Sequence, residues 1–315
     1  MKLRIPFFCT LAFTFFIVPV FSQITITNVA EIAKIKQGTT FFAMSDPNSP
    51  KAKVYVELIK KAWNFSKVDC IKYTDVEKNI APNNSFVTIT ANMTNSTNAA
   101  APTETHVYLE LWTTNGKFKY DPKKRKHFNQ ADKITIATLE LFPDFTTQNN
   151  PSTLYKMDYD AVGNLKNWGK GVVYNYVQEL NRLLLKAEER SFKTPIVTKE
   201  ELRKVASQTL FIPEYVLVKY NKNNKDESSK QEEKELLKDI PFSCQIIPDA
   251  ALNDKIVTTE TPFYYLLFVK TIEDKMITIT NAATGEIVYM AYDSIVSNFK
   301  TADLKDIQKA IVKNK

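Results

Sequence analysis

The sequence predicts a mixed α/β protein of two tandem, duplicated domains, each a mixed parallel and antiparallel sheet covered by helices. Three observations predict it. Residues 28–42 lie over residues 198–212 without a gap, so that Glu31 meets Glu201, Lys34 meets Lys204, Thr39 meets Thr209 and Phe41 meets Phe211. Helical and β-rich runs alternate early in each half, which implies parallel pairing. Turn signals late in each half, Asn115-Gly116 and Thr284-Gly285, imply antiparallel hairpins. A length of 315 residues holds two domains rather than five, and 44% hydrophobic residues exclude general disorder.

The first element is a leader. Lys2 and Arg4 precede an apolar run over residues 5–21 that contains Pro6 and Pro19, and Val20 and Ser22 stand at the −3 and −1 positions of a cleavage site. This is the layout of a secretory signal peptide over residues 1–22, with cleavage between Ser22 and Gln23 and a secreted or periplasmic destination. Cys9 lacks the small residues that precede a lipid-modified cysteine. No later run reaches 18 apolar residues, so no transmembrane segment is expected after cleavage.

The first α/β repeat then spans 23–190, a linker 191–198 and the second repeat 199–315. Each repeat reads helix, strand, helix, strand, short helix, three strands, helix. Asn28 and Thr198 each stand three residues before a Glu, the capping-box pattern at a helix start. Strands follow at 39–44 and 209–218. Glu57-Leu58-Ile59-Lys60 and Glu235-Leu236-Leu237-Lys238 close the second helices. Cys70 and Cys244 sit in the next β-rich runs, each five residues before an Asp, namely Asp75 and Asp249. Pro82 and Pro262 precede Phe86-Val87-Thr88-Ile89 and Phe263-Tyr264-Tyr265-Leu266, and Lys117-Phe118-Lys119-Tyr120 lies over Glu286-Ile287-Val288-Tyr289. The closing helices run over 167–190, where Val173, Val177, Leu180 and Leu184 form one stripe, and from Thr301, with Leu304, Ile307 and Ile311 on one face. Residues 120–150 form an insertion with a strand-like stretch at 133–142, and the polar residues 221–230 read as a solvated loop.

Composition narrows the chemistry. Two His leave little room for a histidine metal site, and six Gly leave little for phosphate loops. The charge of +7 comes from 37 Lys against 5 Arg, scattered along the chain, whereas nucleic-acid binders favour arginine's bidentate fork. No nucleic-acid partner is expected. The densest basic run, Lys123-Lys124-Arg125-Lys126-His127, reads as a solvated loop or as a site for anionic lipid, lipopolysaccharide or nucleic acid. His106 and His127 read as surface residues without a nucleophile. Asp158-Tyr159-Asp160 with Gly163-Asn164 approaches a calcium loop but has no Glu at the twelfth position. Gly169-Lys170-Gly171 reads as a helix start. Cys70 and Cys244 read as buried apolar side chains, with a disulfide between repeats as the alternative. Asp75 and Asp249 read as helix caps or, in an enzyme, as carboxylates at the strand ends where α/β sheets hold ligands. Tyr264, Tyr265 and Phe268 read as core, or as a sugar- or peptide-binding surface.

Two resemblances attach to these motifs. The order of elements, Pro82 and Pro262 before the third strands, and the hairpin at Gly285-Glu286-Ile287-Val288-Tyr289 resemble the thioredoxin-like fold. The position of that family's C-x-x-C motif holds Ser45-Asp46-Pro47-Asn48-Ser49-Pro50 instead, so only the scaffold is implied. Thr209-Leu210-Phe211-Ile212-Pro213 and Ala283-Thr284-Gly285-Glu286-Ile287-Val288 resemble the small module of envelope assembly factors such as the curli-secretion lipoprotein and penicillin-binding-protein activators. That resemblance implies a binding or assembly role and assigns no site residue. The expectation is therefore a non-catalytic secreted protein that binds a protein or an envelope polymer, with no catalytic, cofactor or metal residue. The alternatives are a carboxylate enzyme and a glycan-binding adhesin.

Overall fold

The computed structural model describes residues 23–94, 104–121, 128–156, 159, 164–191, 196–221, 226–271, 275–293 and 298–313. The leader, the basic run 123–127 and most of the calcium-like loop lie outside the described residues.

The first half contains β1 (Ile24–Ile26), α1 (Ile32–Ile35), β2 (Thr39–Met44), α2 (Pro50–Ala62), β3 (Lys67–Lys72), β4 (Ser85–Thr94), β5 (Glu104–Thr114), β6 (Lys133–Leu141), α3 (Phe145–Asn149) and α4 (Lys170–Lys186). The second contains α5 (Lys199–Ala206), β7 (Leu210–Pro213), β8 (Val218–Asn221), β9 (Asp226–Lys230), α6 (Glu233–Leu236), β10 (Cys244–Ile247), α7 (Asp249–Thr258), β11 (Tyr264–Lys270), β12 (Lys275–Asn281), β13 (Ile287–Asp293) and α8 (Thr301–Lys313).

Each half builds its own mixed sheet, in the orders β1-β6-β5-β4-β2-β3 and β10-β7-β11-β12-β13. In the first, β2 runs parallel to β3 and β4, and β4, β5 and β6 are antiparallel. In the second, β7 runs parallel to β10 and β11, and β11, β12 and β13 are antiparallel. Leaving β1 aside, strand order and sense are the same in both sheets.

Local chemistry explains the main helices. The Ser49 hydroxyl accepts from the Ala52 N–H, Pro50 sits at the first helical position, and α2 buries Ala52, Tyr55, Leu58 and Ile59. By contrast, α4 is buried on more than one face: Val172, Val173, Tyr176, Val177, Leu180, Leu183 and Leu184 all lie inside. The reason is its position, packed against α2 of its own half and α7 of the other. One apolar core accordingly runs through both halves.

Polar contacts fasten this seam. The Asn175 amide donates to the Ala282 carbonyl and accepts from the Tyr265 hydroxyl, both at 2.9 Å. Gly285, at φ +71°, turns β12 into β13 so close to α4 that a Cβ there would stand 2.4 Å from the Asn175 carbonyl oxygen. Within α4, Glu179, 1% exposed, takes a bidentate fork from Arg182 at 2.7 Å, and Arg182 reaches Glu286 of the other half at 3.7 Å. Gln23, 2% exposed, donates to the Glu140 carbonyl at 3.0 Å and accepts from the Thr278 hydroxyl at 3.3 Å.

Several expectations are corrected. Neither Asn28 nor Thr198 makes a side-chain cap. Asn28 is left-handed and donates to the Thr135 carbonyl, while Glu201 accepts from Lys204, Tyr264 and Asn281. Asn115-Gly116 does not close a tight hairpin. The chain leaves β5 there, and the antiparallel partner is β6, so Lys117–Tyr120 is not the counterpart of β13. Phe118 and Phe128 instead anchor this connection against Trp112. The expected strand over 209–218 ends at Pro213, where a 3-10 turn over Glu214–Leu217 begins, and part of the expected loop 221–230 is β9, paired with β8. The second helix of that half shrinks to the four residues of α6. The expected linker is tied down at its end, since Ile196 and Thr198 pair with the backbone of β13.

Candidate functional site

A groove of about 660 Å³ lies where the two halves meet. One wall is the first turns of α2, with Lys51, Val54 and Tyr55. The segment Leu165–Lys170 forms its base. The other wall is Glu214 and Tyr215 after β7, Val218, Lys230, and the start of α7 with Asp249, Ala250, Asn253 and Asp254. It therefore lies outside the carboxyl ends of the parallel strands β7 and β10, where open α/β sheets hold ligands. Tyr55, Leu165, Trp168 and Tyr215 give it an apolar floor, and Val54 is 41% exposed on the wall.

The rim carries both signs of charge, mostly already matched. Lys170 pairs with Asp254 at 2.5 Å, Lys230 with Glu214 at 2.9 Å, and Lys166 with Glu227 at 3.0 Å. Asp249 stands apart by its burial. Burial pushes its carboxyl up to about 6, the negative Glu214 adds to this, and the Tyr215 N–H at 3.2 Å and Lys166 oppose it. Behind the floor, burial pushes the Lys270 ammonium down to about 8, against the pull of Glu227. Lys270 donates to Asn298 at 3.1 Å and lies 4.4 Å from the centre of the Tyr220 ring.

The groove's geometry depends on Asn253. Its Oδ1 accepts from the N–H groups of Gly171 and Val172, both at 3.0 Å, so a side chain of α7 caps α4 from the other half. A Cβ on Gly171 would stand 2.5 Å from the Asn253 carbonyl oxygen, which is why the helix start over Gly169-Lys170-Gly171 needs glycine there.

Other sequence candidates fall elsewhere. Asp75 pairs with Lys78 at 2.6 Å in a 3-10 turn, outside the groove, and neither it nor Asp249 caps its own helix. Asp249 follows the cap position and spends its acceptor on Tyr215. Cys70 and Cys244 are free thiols in the edge strands β3 and β10, both pushed up to about 12 by burial. Tyr264, Tyr265 and Phe268 are buried to within 3% and form no binding surface. His106 is not a plain surface residue: its side chain is 17% exposed and its Nδ1 lies 3.0 Å from Glu140. Asn164 of the calcium-like stretch donates to Thr147, and no group of three potential ligands suited to a metal occurs among the described residues. Sequence reasoning missed Asn253, Glu110 and Glu140. The last two sit at the polar beats of alternating strands, a detectable pattern, whereas the cap made by Asn253 spans 82 residues and leaves no local sign. Compared with protein families, curated proteins and solved structures, the chain matches none. No helix among the described residues is long and apolar enough to cross a membrane.

Proposed function

We propose that this is an exported, non-catalytic protein that holds a segment of a partner polypeptide in the groove between its halves. The observation that carries the reading is an apolar floor bordered by lysines and carboxylates together. A polyanion would meet Asp249, Asp254 and Glu214, and a polycation would meet Lys51, Lys166, Lys170 and Lys230. A peptide with apolar anchors and charges of both signs matches floor and rim alike. The shared strand order also supports descent of both halves from one duplicated unit.

Selection from a displayed peptide library tests this, with Trp168 fluorescence reporting occupancy. Peptides taken by the native protein should be refused by Ala250→Trp, which fills the groove from an exposed position, and by Val54→Glu. Peptides that bind all three proteins equally would overturn the assignment.

A second reading, a carboxylate enzyme, is favoured by Asp249 alone, whose raised pKa suits a group that exchanges protons near neutrality. Loss of a hydrolytic activity in Asp249→Asn, with peptide binding intact, would favour it.

A further inference from the structure

The outer face of the first sheet is polar in a way that solvation alone does not require. Its rows run Thr90–Tyr108–Glu140 and Thr88–Glu110–Thr138–Thr25 across β4, β5, β6 and β1, with Asn92 opposite His106 beyond them. The bulge between Leu111 and Trp112 keeps this alternation in phase, with Thr135 facing the same side. Phe128, backed by Phe118, covers Trp112 at one end. What remains is a basin of about 280 Å³ lined by Gln23, Thr25, Asn92, Tyr108, Glu110, Thr135, Thr138 and Glu140.

Two carboxylates are buried in it, Glu110 at 5% and Glu140 at 3% exposure. Burying a carboxylate is costly unless it is held by partners. Glu110 accepts from Lys133 and, at 2.6 Å, from the Thr135 hydroxyl, while Glu140 faces His106. The His106 and Tyr108 rings stack at 5.9 Å and present a flat surface beside them. The acceptors are thus rigidly placed: Lys133 beside the basin meets the charge of Glu110, and His106 hydrogen-bonds Glu140.

We propose that this basin is a binding site for a neutral saccharide. An anion would meet two buried carboxylates, and a cation would have to compete with Lys133 and His106 for them. A sugar needs no such exchange: its hydroxyls can donate to the lining carboxylate of Glu110 and bond Thr25, Thr138 and Asn92, and its C–H face can rest on Tyr108. The volume lies just under the ~300 Å³ at which small-ligand pockets begin, the size of a short saccharide end rather than a long polymer. The site is independent of the groove between the halves.

Titration calorimetry with maltose, cellobiose and N,N′-diacetylchitobiose tests it on the full exported chain. At least one should bind, and Thr138→Val and Tyr108→Ala should each weaken that binding about tenfold or more. Circular dichroism and melting confirm that both variants fold, and Ala250→Trp in the groove should leave saccharide binding unchanged. Binding to none of the three sugars overturns the proposal. So does binding that survives both basin substitutions or is lost with Ala250→Trp.

Discussion

Replacing Asn253 by alanine probes the seam at its most economical point. Its Oδ1 is the acceptor for two N–H groups in the first turn of α4, and its Nδ2 donates to the Asp249 carbonyl at 2.8 Å. Removing the amide leaves both donors unpaired at a position 8% exposed. Each orphaned buried donor costs roughly 1–3 kcal/mol, and the groove admits some water to replace the bond, so the expected loss is about 2–4 kcal/mol. Urea unfolding followed by far-ultraviolet circular dichroism measures it, as one cooperative transition because the core is continuous. Asn253→Asp is the control. It keeps the acceptor and places negative charge at a helix N-terminus but sets an oxygen against the Asp249 carbonyl, so it should recover only part of the alanine loss. A loss under about 0.5 kcal/mol for alanine, or equal losses for both variants, would refute the capping argument.

Other perturbations give distinct readouts. The Asp249 carboxyl titrates higher folded, at about 6, than in an unfolded chain, so the unfolded state releases its proton first and stability falls as pH rises from about 4 to 6. Asp249→Asn keeps an acceptor for Tyr215 while Glu214 and Lys166 stay in place, so it should flatten that slope and stabilise the protein at pH 7 by about 1–2 kcal/mol, allowing for partial solvent screening. Equal slopes in both proteins count against it. Cys70 and Cys244, with thiols pushed up to about 12, should resist a thiol-specific disulfide reagent at pH 8 and react fully once unfolded. Rapid native labelling of either contradicts this. Arg182→Ala leaves the buried Glu179 with Arg190, 3.5 Å away, as its remaining cation among the described residues and should cost about 3–5 kcal/mol in the same urea assay. Arg182→Lys, unable to form the fork, should recover only part of that.

Elements governed by local periodicity were legible from the residues. The stripe of Val173, Val177, Leu180 and Leu184 marks α4, and the parallel-then-antiparallel sequence of pairings follows from helices early and turns late in each half. Misreadings arose where distant contacts override local signals. Asn28 and Thr198 have the residue types of caps, but Glu201 is claimed by Tyr264 of β11 and Asn281 of β12. Asn115-Gly116 is a hairpin signal overridden where Phe128 stacks on Trp112 and Phe118 packs edge-on against Phe128. The polar residues 226–230 carry no strand signature, and pairing with β8 orders them. For the groove, Asp249 was recognisable as a carboxylate at a strand end, but its counterpart Asp75 lies outside the groove and pairs with Lys78. The groove exists only because two halves meet, which no single segment encodes.

The way α4 is shared carries a consequence for handling the molecule. By chain order it closes the first half, yet its far side is sealed by α7 and by the turn at Gly285. Expressing either half alone would strip a greasy strip of Val172, Val173 and their neighbours of its cover, or leave Leu252 and Ile256 facing water. Such fragments should clump rather than fold, so dissecting this protein calls for point substitutions within the intact chain.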